Sequence, residues 1–395
     1  MSLITLQVNV SDATSTGERL LKIVWNYGSE FAPPYFVRAG TLRDKGESVR
    51  NALQRMIDRG MNNGGSLGSC GKELKEIAVT GRALYEALFH QIEGYDAGRI
   101  RDWLTQETAT QQRQGNRCQI TFVVESVSHI PWGLMYDGSL DVLIGEAEQD
   151  SIENYEDFWG LKFLVCSVYR RILPHWLTVS HSNEVKEVLS VINKPAFDRA
   201  SPQLALPQGD VLKWFEDTFG SPVRSSDDFY ERWQARGPAY RLLYFYCHAS
   251  ENSLELDPDD RIKLSDFSER TRPADSAQRS TCLVFLNGCN TAVGDADGAF
   301  LTATGEFLFC GFVGTETKVP DVFALRFGLA FLYYFLHEGW PIHKTMDYLR
   351  RQHWPLGLVY SSYCSPLLSF TPDDQPLQID ITDNFSQLPL GTRQM

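Results

Sequence analysis

Three short apolar runs in the second half of the chain, residues 242–247, 282–286 and 308–314, constrain its fold more than any other feature. Each is about one strand long, and each is continuously apolar rather than alternating. A strand has this pattern when both of its faces are buried, as in the middle of a parallel sheet covered by helices. Polar or glycine-rich residues follow each run, and helical spacing returns at Ile342, Met346 and Leu349. The expected fold class is therefore α/β, with a mainly parallel sheet flanked by helices. In such sheets, ligands and catalytic groups gather in the loops beyond the carboxyl ends of the strands. Here those ends carry His248, Cys289 and the pair Thr315-Glu316.

The first half has its own pattern. Residues 3–10 alternate like a strand, and residues 48–59 place Val49, Leu53, Met56 and Ile57 on one helical face. The glycine-rich stretch 61–71 reads as a break, which sets a boundary near residue 71. Beyond it, Leu74, Ile77, Gly81, Leu84 and Leu88 recur at helical spacing, and a β-rich segment at 118–125 leads into Ile130-Pro131-Trp132-Gly133-Leu134. These features divide the chain into an accessory segment at 1–70, a main domain at 71–375 with its active-site half at about 236–375, and a polar tail at 376–395.

Composition excludes several function classes. With 43% hydrophobic and 22% charged residues, the 395-residue chain is expected to pack a core. A net charge of −13 without a cluster of Lys and Arg argues against direct nucleic-acid binding. The most apolar run, 322–336, is interrupted by Arg326 and is shorter than the roughly 20 residues of a membrane span, so it reads as a buried helix and no membrane association is expected. No secretory signal pattern opens the chain, and the eight cysteines lack paired spacing, which fits reduced thiols and a cytoplasmic location.

The chemistry concentrates in two words. Tyr244-Phe245-Tyr246-Cys247-His248 puts a histidine at the mouth of one expected strand, and Phe285-Leu286-Asn287-Gly288-Cys289 puts a cysteine at the mouth of the next. A neighbouring imidazole can take the proton of a thiol and make it nucleophilic. Gly288 permits a sharp turn, and the backbone N–H of Cys289 could help to hold an oxyanion. A bare His and Cys at strand ends fit a structural role equally well, since free cysteine is among the most buried residue types.

The surrounding residues resemble the CHAT family of caspase-like cysteine peptidases, from the separase and caspase clan. The resemblance covers about residues 72–370. It rests on segments 74–88 and 254–264, Ile130-Pro131-Trp132, Tyr246-Cys247-His248, Asn287-Gly288-Cys289-Asn290-Thr291-Ala292, segment 311–321 and Gly357-Leu358-Val359-Tyr360. It implies a caspase-like sheet with an N-terminal extension and a His248/Cys289 dyad. It also implies an oxyanion hole from the N–H groups of Ala249 and Cys289, and hydrolysis of a peptide bond without metal or cofactor. The loop at Thr315, Glu316, Thr317, Lys318 and Asp321 would bind substrate beside its main chain, as an added strand. The partners implied are a protein substrate, such as a gasdermin-like pore former or another defence effector, and a regulatory protein. The sequence departs from the family at Ala249, where glycine is usual, at Gly133, where the family has glutamate, and at Lys318, where many relatives carry an acidic or apolar residue. Lys318 would disfavour a basic residue on the acyl side of the cut bond, unless Glu316 or Asp321 turns into the pocket.

Other signals read as structural. Residues 66–72 depart from a phosphate-binding loop at Ser66 and Glu73. His337, His343 and His353 lack partners at metal-ligand spacing, and Asp295-Ala296-Asp297-Gly298 and residues 257–260 are too short for a calcium loop. The aromatic stretch 323–335 reads as core. A thiol amidotransferase or hydrolase would need glycines at Asn287 and Thr291 and a downstream histidine. A catalytically silent caspase-like scaffold is the other alternative.

Overall fold

The computed structural model describes residues 3–371, apart from 16–17, 28–29, 63–69, 115–116, 125–128, 146–150, 170–177, 181–187, 205–210, 238–239, 251, 272–281, 290 and 292–308. Most of the phosphate-loop-like stretch, Asp295-Ala296-Asp297-Gly298 and the tail at 376–395 lie outside the described residues. The chain forms two compact units, one of residues 1–170 with 354–358, the other of 171–353 with 359–395.

In the first unit, β1 (Leu3–Ser15), β2 (Glu18–Tyr27), β3 (Glu30–Phe31), β4 (Tyr35–Arg38), β5 (Glu93–Gly94), β6 (Arg117–Val124) and β7 (Leu164–Tyr169) build a mixed sheet. Its order is β5-β4-β2-β1-β6-β7, with β3 beside β2. The expected alternation in β1 is present: Leu6, Val8 and Val10 are buried while Gln7 is exposed. Helices α1 (Ala39–Asn62) and α2 (Gly71–Leu88) pack together through the predicted faces, with Val49, Leu53, Met56, Ile57, Leu74, Ile77, Leu84 and Leu88 buried. Gly81 is needed for α2 to approach the next turn, because a Cβ there would lie 2.4 Å from the Leu134 carbonyl oxygen. Trp132 stacks on Phe122 at 4.1 Å, so the Pro-Trp word is core packing in this unit.

The boundary expected near residue 71 falls inside this unit. The reason is strand pairing: β1 is an interior strand, parallel to β6 in the register Leu6↔Ile120, so residues 1–70 complete a sheet begun on both sides of the glycine-rich stretch.

In the second unit, β8 (Thr178–Ser180) lies apart from the main sheet. The main sheet comprises β9 (Val188–Ile192), β10 (Leu242–Tyr246), β14 (Leu283–Asn287), β15 (Gly311–Thr315) and β16 (Tyr360–Cys364), in the order β16-β15-β14-β10-β9. Its first four strands in sequence are parallel and β16 is antiparallel. A hairpin sheet of β11 (His248–Ser250), β12 (Ser253–Asp257) and β13 (Asp260–Lys263) follows β10, and β17 (Ser369–Thr371) pairs with β8. Every residue of β10, β14 and β15 is buried, which accounts for their unbroken apolar runs. The α/β class with a mainly parallel sheet flanked by helices is therefore as expected.

The helices that position the site are α3 (Lys194–Ala200) after β9, α4 (Asp321–Leu332) after β15, and α5 (Ile342–Gln352) before β16. The run at 322–336 is a buried helix, continuing past α4 as a π-helical turn, Tyr333–His337. Gly328 lets α4 lie close on the sheet, since a Cβ there would come 2.4 Å from Asn287 Nδ2. Among the described residues, no helix is long and apolar enough to cross a membrane.

Candidate active site

Strands β10 and β14 run parallel in a register that pairs Tyr246 with Asn287. Two residues further along each strand stand His248 and Cys289, so the sheet delivers both to its carboxyl edge on neighbouring segments. Gly288 fixes how near these segments come. A Cβ on it would sit 2.5 Å from the Cys247 carbonyl oxygen and 3.5 Å from Ala249 Cβ. The chain bends at this glycine, which also serves close backbone approach. After Gly288 the turn is held from below by two threonines. Thr291 Oγ1 donates to Leu286 O at 3.0 Å and accepts from Thr315 N at 2.9 Å, while Thr315 Oγ1 donates to the Gly288 carbonyl.

The histidine side of the site is built from β9. Asn193 caps α3 by accepting from Ala196 N at 2.8 Å, donates through Nδ2 to Glu255 O at 2.9 Å, and through its backbone N–H bonds Tyr246 O at 2.7 Å. One residue therefore ties the ends of β9 and β10 to the hairpin that carries His248. From α3, Arg199 reaches His248 Nε2 at 3.3 Å and donates to Asp321 Oδ2 at 2.9 Å. A guanidinium has donors only, so this contact is a hydrogen bond only in the tautomer that leaves Nε2 unprotonated. Tyr246 OH donates to the Asp321 carbonyl at 3.0 Å and fixes the start of α4.

Cys289 is half-buried, and its Sγ lies 3.8 Å from Val319 O. Burial pushes the thiol above the ordinary cysteine value and the Asp321 carboxylate adds to this, against opposing pulls from the Val319 backbone and Lys318. Iodoacetamide is therefore expected to alkylate Cys289 more slowly than a free thiol at pH 7, with the rate still climbing above pH 9. Mass-spectrometric rates across pH check this, and a plateau already reached at pH 7 would contradict it.

The expected substrate loop turns its first three side chains inward. Thr315, Glu316 and Thr317 are 0%, 1% and 2% exposed, so they line the interior rather than a cleft. Glu316 accepts from Tyr363 OH at 2.7 Å, and its backbone N–H is bonded to Val359 O at 2.8 Å. Pairing of β15 with β16 has claimed this edge, which leaves it closed to an added strand at Glu316. The loop presents Lys318, which is exposed, and Asp321, which is partly exposed. Ala249 sits beside Gly288 and pairs with Leu254 in the hairpin. Arg199, Asn193 and Thr291 drew no functional assignment from the sequence. An Asn193-Lys194-Pro195 helix start directly after an apolar run was the available signal for α3.

The separase–securin complex of Saccharomyces cerevisiae is similar over 93% of this chain and 30% of that one, at 11% identity and a TM-score of 0.46. The chain thus spans about 30% of the length of the protein it matches. No protein-family model matches the sequence, and no curated protein does.

Proposed function

We propose that this protein is a caspase-like cysteine endopeptidase of the CHAT type, with Cys289 as nucleophile and His248 as general base. The observation that carries the reading is the parallel β10–β14 register, with His248 and Cys289 each two residues past the paired Tyr246 and Asn287, and Gly288 close against the Cys247 carbonyl. In the reaction, His248 takes the thiol proton as Cys289 attacks the peptide carbonyl, and the N–H groups of Ala249 and Cys289 hold the oxyanion. The imidazolium then protonates the leaving amine as the C–N bond breaks. Water, deprotonated by His248, cleaves the thioester to release the acyl half and restore the thiol. No metal or cofactor enters these steps.

The substrate is a protein cut at one or a few sites, such as a gasdermin-like pore former or another defence effector, and a regulatory protein governs access. With Lys318 exposed on the loop and its charge felt at the thiol, the residue on the acyl side of the cut is apolar, neutral or acidic. A silent scaffold draws support from one observation: Sγ faces Val319 O while His248 faces Arg199. A peptide bearing an acyloxymethyl ketone decides between the two. Proteolysis predicts stoichiometric labelling at Cys289 that His248→Ala slows by orders of magnitude; labelling no faster than at the buried cysteines would favour the scaffold.

A further inference from the structure

A cation already fills the one partly exposed carboxylate near Cys289 among the described residues of the 315–321 loop. Arg199 Nη2 bonds Asp321 Oδ2 at 2.9 Å and lies 3.3 Å from His248 Nε2, although more than half of its side chain is exposed. Asp321 is close enough to Cys289 to act on the charge of its thiol. A carboxylate so near a nucleophile would attract the guanidinium or ammonium of a substrate side chain. Here it cannot do so while Arg199 holds it.

We infer that Arg199 is a specificity-determining residue, a built-in guanidinium that occupies Asp321 and so excludes Arg and Lys from the acyl side of the cleavage point. This rests on the peptidase reading for its consequence in catalysis, but the subsite itself does not depend on it. The pair is anchored from both ends. Asn193 caps α3, which carries Arg199, and Tyr246 holds the backbone of Asp321. Removing Arg199 would leave Asp321 partly exposed and without its partner, on the side of His248 that Arg199 now occupies. A substrate arginine could then take over the bond that Arg199 makes now. The charge of Lys318 would weaken this gain without cancelling it, because a direct charge-assisted bond to Asp321 outweighs the field of an exposed ammonium that solvent screens.

Two measurements test this, one of them without proteolysis. In a Cys289→Ala background, N-acetylarginine amide is titrated calorimetrically into proteins with Arg199, Arg199→Ala, Arg199→Gln, and Arg199→Ala combined with Asp321→Asn. Binding is expected in the two single replacements, tighter by about tenfold or more than with Arg199 present, and lost again on adding Asp321→Asn. With Cys289 restored, a peptide library is expected to show the same single replacements gaining about tenfold or more in kcat/KM for Arg over Leu on the acyl side. Binding that appears while no variant cuts any peptide would uphold the subsite and overturn the peptidase reading. Equal or absent binding with and without Arg199, in variants of unchanged thermal stability, would overturn the inference whatever the cleavage data show. The Arg199→Gln protein preserves most of the packing of the long side chain, so a folding defect confined to Arg199→Ala leaves the test intact.

Discussion

Cys289→Ala and His248→Ala should each lower proteolysis by about 10⁴-fold or more while the melting temperature stays within a few degrees of the parent. Nucleophile and base act as one unit, so removing either forfeits nearly all that removing both would forfeit, and the double variant should be no worse than the worse single one. The fold should tolerate both changes because neither side chain is part of the core. Each is partly exposed, and the contacts that shape the turn belong to Gly288, Thr291 and Thr315 rather than to Cys289. The decisive comparison is with Thr291→Val. That variant keeps the dyad but removes the hydroxyl that donates to Leu286 O and accepts from Thr315 N, so it should lose part of its activity together with stability. Substantial turnover by purified Cys289→Ala would remove this residue from the mechanism.

How much of this was legible in the sequence depended on whether a position is dictated locally. The strands β10, β14 and β15 announced themselves, because a strand buried on both faces has no polar residue to break its run. The helices at 39–62 and 71–88 showed in part, through 3.6-residue spacing at 48–59 and 74–88, while the first turns of the longer helix carried no such signal. Strand β16 did not show, since Tyr360-Ser361-Ser362-Tyr363-Cys364 is polar by composition and becomes an edge strand only through pairing with β15. Strand β9 is apolar but brief, and it matters to the site through Asn193 at its end and the helix begun there. Arg199, on that helix, reaches the site from 49 residues before His248, a distance that no local pattern encodes. The unity of the first 170 residues was hidden for the same reason: β1 finds its parallel neighbour β6 more than 100 residues away. The orientation of side chains in the 315–317 segment was hidden too. The apolar run of β15 shows where the strand ends, at Thr315, but which way the side chains that follow turn is set by tertiary partners such as Tyr363.

Asn287→Leu is expected to damage the fold far more than either replacement in the dyad, costing about 3–5 kcal/mol. Asn287 lies inside β14, immediately before the nucleophile turn, and is 1% exposed. Its Nδ2 donates to Tyr244 OH at 3.2 Å and to Ala324 O at 2.7 Å, and its Oδ1 accepts from Tyr360 OH at 2.6 Å. One amide thereby joins β10, β14, β16 and α4. Leucine branches where asparagine does and is only modestly bulkier, but it offers no hydrogen-bonding atom, so these buried polar partners lose a bond with nothing to replace it. Each unsatisfied group costs about 1–3 kcal/mol. Relaxation is restricted, because α4 is held within reach of the amide at Gly328 and the Tyr360 ring is stacked on Phe327 at 3.7 Å. Tyr360→Phe supplies the internal standard. It deletes a single donor and leaves Asn287 Oδ1 unpaired, so it should cost about 1–2 kcal/mol, clearly less than Asn287→Leu. Urea unfolding measures both, through the shift of the midpoint at unchanged slope. An Asn287→Leu protein as stable as the parent would show that the amide is not what binds these elements together, and that apolar packing alone suffices beneath the site.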